Sequence, residues 1–61
     1  MNDKAKIARS MERYGGGFVQ ALAEAYIRAD GDNSKRIEEA FPDIMERYGP
    51  GSSFYDAANS V

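Results

Sequence analysis

The chain has 61 residues, 8 Lys and Arg against 10 Asp and Glu, and no His, Cys or Trp. A lone domain of this size buries only about 60% of its unfolded surface, and its composition allows no disulfide and no ordinary zinc site as a staple. A net charge of −2 argues against general nucleic-acid binding, whereas 43% hydrophobic and 30% charged residues place the chain among globular proteins.

The first predicted helix runs from Asp3 to Tyr14. Asp3 suits a cap, and Ile7, Ala8, Met11 and Tyr14 share one face. Gly15 is expected to end the helix in a left-handed conformation, with Gly16 and Gly17 loosening the turn. The segment FVQALAEAYIRA predicts a second helix over 18–29, with a stripe of Phe18, Leu22, Ala25, Tyr26 and Ala29. Ala21, Ala23 and Ala25 are small enough to let another helix approach closely. Asp30-Gly31-Asp32-Asn33 is a turn and capping signal.

A third helix is expected over 34–48, starting near Asn33 or Ser34, with Ile37, Ala40, Phe41, Ile44, Met45 and Tyr48 on its stripe. Pro42 falls inside this pattern without shifting its phase. It predicts either one kinked helix or two short, nearly coaxial ones. Gly49 and Pro50 end the helix. In the tail, 52–61, Ser52 or Ser53 can cap a last turn that brings Phe54 or Tyr55 onto the core, and Asn59-Ser60-Val61 is expected to fray. The fold class is therefore all-α: a three-helix miniprotein forming a single domain over 1–61. Phe18, Leu22, Ile37, Phe41 and Ile44 are its expected core. Tyr14, Tyr26, Tyr48 and Tyr55 are candidate interaction residues at the edge of that core, since Tyr and Met favour interfaces.

Met11-Glu12-Arg13-Tyr14-Gly15 recurs letter for letter as Met45-Glu46-Arg47-Tyr48-Gly49, 34 positions later, with Gly17 and Gly51 in the same register. The plain explanation is two similar helix stops. The alternative is a duplication or a pair of equivalent binding corners. Tetratricopeptide repeats share the period, but their Trp and Leu-Gly positions are missing. Charge is uneven as well. Residues 1–15 carry a net +2 and residues 32–49 a net −2, and these can pair within a chain or between copies.

Without His or Cys there is no Ser–His or Cys–His nucleophile, and adjacent carboxylates such as Glu38 and Glu39 point apart on a helix. No enzymatic role is expected, and no cofactor or metal. A weaker alternative places an anion or nucleotide ligand at the glycine corners. It would use Arg13, Gly15, Gly16 and Gly17 in one copy and Arg47, Gly49, Gly51, Ser52 and Ser53 in the other. A third reading, a DNA-binding helix-turn-helix over the second and third helices, conflicts with Glu38, Glu39, Asp43 and Glu46 on the would-be recognition helix.

The runs GGGFVQALAEAYIRAD and RIEEAFPDIMERYGPGSSFY, spanning Gly15 to Tyr55, resemble short helical proteins encoded by bacteriophages and prophages. Those share a GGF…ALAEA…RAD…AFP…YGPGS pattern of helix and stop residues. The resemblance implies a phage-type accessory protein of the host cytoplasm that binds a host protein stoichiometrically, as an inhibitor of a defence or regulatory protein. It assigns no functional residue. The small core adds an expectation of homo-oligomers, and the short apolar runs exclude a membrane span.

Overall fold

A computed structural model describes residues 3–60. Five helices follow one another: α1 (Asp3–Tyr14), α2 (Gly17–Arg28), α3 (Gly31–Ala40), α4 (Pro42–Tyr48) and α5 (Ser53–Asn59). The all-α class holds, with five helices in place of three. α1 is the hub, packing against α2, α5 and α4.

The extra helices have local causes. Pro42 lacks the N–H that would continue a helix, and it forces Phe41 to φ −129°, ψ 60°. Phe41 then serves both neighbours. Its N–H closes α3 on Ile37 O at 3.0 Å, and its carbonyl opens α4 by accepting from Met45 N at 3.1 Å. Pro42 sits in the first turn of α4, where a missing N–H costs nothing. The chain thus takes the two-helix form of the expected kink. In the tail, the Ser52 hydroxyl accepts from Tyr55 N at 3.2 Å and caps α5.

Other expectations are corrected. α3 begins at Gly31, not at Asn33 or Ser34, because Asp30 is the cap: its Oδ1 accepts from Asn33 N at 2.8 Å. Gly15 is not left-handed; among the described residues only Gly51, at φ 92°, has positive φ. Asn59 does not fray. It closes α5 and donates from Nδ2 to Lys6 O at 3.2 Å and to Tyr55 O at 2.9 Å. Val61, and the Asp3 side chain read as a cap, lie outside what is described.

The core is Ile7, Ala8, Met11, Ala23, Tyr26 and Tyr48, with Val19, Leu22, Ile37, Ile44, Met45 and Tyr55 packed half-buried around it. The stripe of α2 is therefore Val19, Leu22, Ala23 and Tyr26, spaced i, i+3, i+4, i+7. Ala25 lies outside this stripe and is exposed. Phe18, expected in the core, is 63% exposed, and Phe41 is half-buried outside the main cluster.

Candidate functional site

The repeated pentapeptide builds the same corner twice. α1 and α4 both end on its tyrosine, and the glycine follows. At Gly15 the amide closes the last bond to Met11 O at 2.8 Å. A Cβ there would stand 2.5 Å from that oxygen and overlap Val19. A Cβ at Gly49 would likewise overlap Met45 O. In both copies the chain turns so tightly over the Met carbonyl that only glycine fits. The glycine carbonyl is then covered from the next segment. Gln20 Nε2 donates to Gly15 O at 3.2 Å, and Ser52 Oγ donates to Gly49 O at 2.8 Å.

The two corners meet at one ring. Tyr14 and Tyr48 both stack on Phe54, with centroids 5.1 and 5.4 Å apart and interplanar angles of 22° and 19°. Offset stacking of this kind is favourable beyond the area it buries. Exposure rises along the stack, from Tyr48 at 5% to Phe54 at 37% and Tyr14 at 41%. One end is core and the other is surface. Each tyrosine follows an exposed arginine, Arg13 or Arg47. A second aromatic contact, Phe18 edge-on to Phe41 at 5.7 Å, lies at the opposite end of α4. Seven residues of helix set the two groups roughly 10 Å apart along the axis.

A polar clasp lies at the α2–α3 corner. Lys4 Nζ donates to Ala29 O at 2.7 Å and to Ser34 Oγ at 2.9 Å, and stands 5.8 Å from the Tyr26 ring centroid. Its charge sits at the C-terminal end of α2, where the helix dipole favours a cation. Tyr26, 1% exposed, donates its hydroxyl to Glu38 Oε2 at 2.6 Å. Burial, then that hydrogen bond, then the carboxylate's charge push the phenol well above its ordinary range, so Tyr26 stays neutral. Sequence reasoning missed this clasp. Ser34 and Glu38 at i, i+4 on α3 were a signal, but nothing local tied them to Lys4.

The interaction tyrosines thus divide. Tyr14 offers surface, Tyr55 is half-buried against the core, and Tyr26 and Tyr48 are buried. Among the residues of the anion alternative, Arg13, Gly16, Gly17, Arg47, Gly51 and Ser53 are exposed, Gly15 and Ser52 are half-buried and Gly49 is buried. The Ser52 hydroxyl is engaged twice, accepting from Tyr55 N and donating to Gly49 O. Among the described residues no pocket opens, no group of three potential metal ligands gathers, and no helix is long and apolar enough to cross a membrane. No protein-family model matches the chain, and neither curated proteins nor solved structures match it.

Proposed function

We propose that the chain is a non-enzymatic accessory protein of phage type that binds a host defence or regulatory protein in the cytoplasm and inhibits it stoichiometrically. The observation that supports this reading is the Tyr14–Phe54–Tyr48 stack, anchored in the core and open at Tyr14. A partly exposed aromatic pair, Tyr14 and Phe54, stacked on a buried tyrosine has the composition of a protein-binding hot spot. Tyr is among the residue types that most often dominate such surfaces, and a ring already fixed by stacking loses little entropy on binding.

The test is affinity capture of a host protein on the intact chain, followed by titration of the purified captured protein. Saturation at a fixed stoichiometry is expected, with Tyr14→Ala weakening binding by roughly thirtyfold or more, the loss of one hot-spot side chain. Equal affinity for wild type and Tyr14→Ala would remove the aromatic corner from the interaction. A parallel melting series with nucleotides examines the glycine-corner alternative. A shift lost in Arg13→Ala or Arg47→Ala would favour ligand sequestration over protein binding.

A further inference from the structure

The main core cluster, Ile7, Ala8, Met11, Ala23, Tyr26 and Tyr48, draws on α1, α2 and α4 and takes nothing from α3. The ten residues of α3 contribute one half-buried apolar side chain, Ile37, and one buried polar one, Ser34; the other eight are exposed. A helix that buries so little apolar surface belongs to the part of a fold that opens at low cost. α5 is shorter, yet it buries Ala58 and sets Phe54 between two tyrosines.

What holds α3 is largely polar. Glu38 Oε2 accepts from the Tyr26 hydroxyl at 2.6 Å, and Ser34 Oγ accepts from Lys4 Nζ at 2.9 Å. Ser34 and Glu38 are i, i+4 and so lie on one face of the helix. Water can replace either bond when the helix lifts, so each contributes only the modest net worth of a protein hydrogen bond. Lys4 also donates to Ala29 O, just past the end of α2, and that bond survives the movement. Both ends of α3 can act as hinges. Ala29 and Asp30 are extended before Gly31, and Phe41 leaves helical geometry after Ala40. Phe41 is also held edge-on by Phe18 at 5.7 Å, which keeps the start of α4 in place.

We propose that α3 is a latch that lifts off as a unit while α1, α2, α4 and α5 stay packed, with the Tyr26–Glu38 bond as its catch. Lifting it bares the Tyr26 hydroxyl and the side of Ile37 that packs on the core.

Native-state amide hydrogen exchange of the intact chain tests this, under conditions where exchange reports the opening equilibrium. The amides of Lys35 to Ala40 should share one opening free energy, lower than that of the α1 and α2 amides. Their exchange should depend only shallowly on guanidinium chloride, whereas α1 and α2 should accelerate steeply, because exposing them requires unfolding the core. Tyr26→Phe removes the catch and should speed α3 exchange roughly fivefold, the worth of one hydrogen bond. Amides of α3 that follow the steep dependence of α1 and α2, that open one by one with unrelated free energies, or that are unaffected by Tyr26→Phe would overturn the proposal. Tyr14, Tyr48 and Phe54 lie on other helices, so the binding proposal at the aromatic corner stands or falls by its own test.

Discussion

Tyr26 shows how much one side chain determines. It is the largest fully buried residue, and its hydroxyl reaches Glu38 at the surface. Its folded-state pKa lies above the ordinary 10.0, so in alkaline solution the unfolded chain gives up this proton first. The stability it contributes is complete below about pH 10 and is lost as pH rises beyond that value. Chemical denaturation against pH should show that decline, and Tyr26→Phe should lose this component of it. At neutral pH the same variant should cost only about 1 kcal/mol, because Glu38 is exposed and rehydrates. Ser10 presents the opposite case. It is fully buried, and its hydroxyl has no partner among the described residues. Lys6 O, the i−4 carbonyl to which a helical serine bonds, instead accepts from Asn59. Ser10→Ala is therefore expected to stabilise by ~1 kcal/mol, the relief of an unmade hydrogen bond, read as a higher melting temperature.

At the scale of elements, the glycines of the repeated corner separate two kinds of helix end. Gly15→Ala and Gly49→Ala press a methyl group onto a carbonyl and should each cost ~1–3 kcal/mol. Gly17→Ala, in the open first turn of α2, should stabilise by ~0.4–1 kcal/mol. Thermal melts of the three variants check this, since 1 kcal/mol moves the midpoint of so small a domain by about 4–8 °C. Equal effects at all three glycines would contradict the corner geometry. Much of this level was legible in the residues. The span of α1, an interruption at Pro42 and a cap at Ser52 or Ser53 follow from strong local chemistry, namely a missing N–H and a hydroxyl near the right offset; the structure selects two helices and Ser52. The phase of α2 was not legible. Apolar residues occupy 18, 19, 21, 22, 23, 25, 26, 27 and 29, so they surround the helix, and periodicity alone cannot tell the core side from the outer one. The cap at Asp30 was hidden among three neighbouring residues that cap equally well.

For the whole molecule, the sequence displayed two copies of a corner but not their meeting. That depends on the path of α4 and α5 back across α1, a tertiary fact carried by Phe54. α5 covers α1 through the buried Ala58 and the Asn59 bond to Lys6 O. A core this small seldom supplies more than about 3–5 kcal/mol. Removing residues 50–61 should therefore abolish cooperative melting of the rest. A melt that stays cooperative would show that α5 is dispensable.

Titration of the captured host protein against the intact chain tests the proposed binding role most directly. Saturation at a fixed ratio is expected, with a loss of about thirtyfold in affinity for Tyr14→Ala and its helical circular dichroism retained. Unchanged affinity in that variant, or no host protein retained by the wild-type chain, would contradict it.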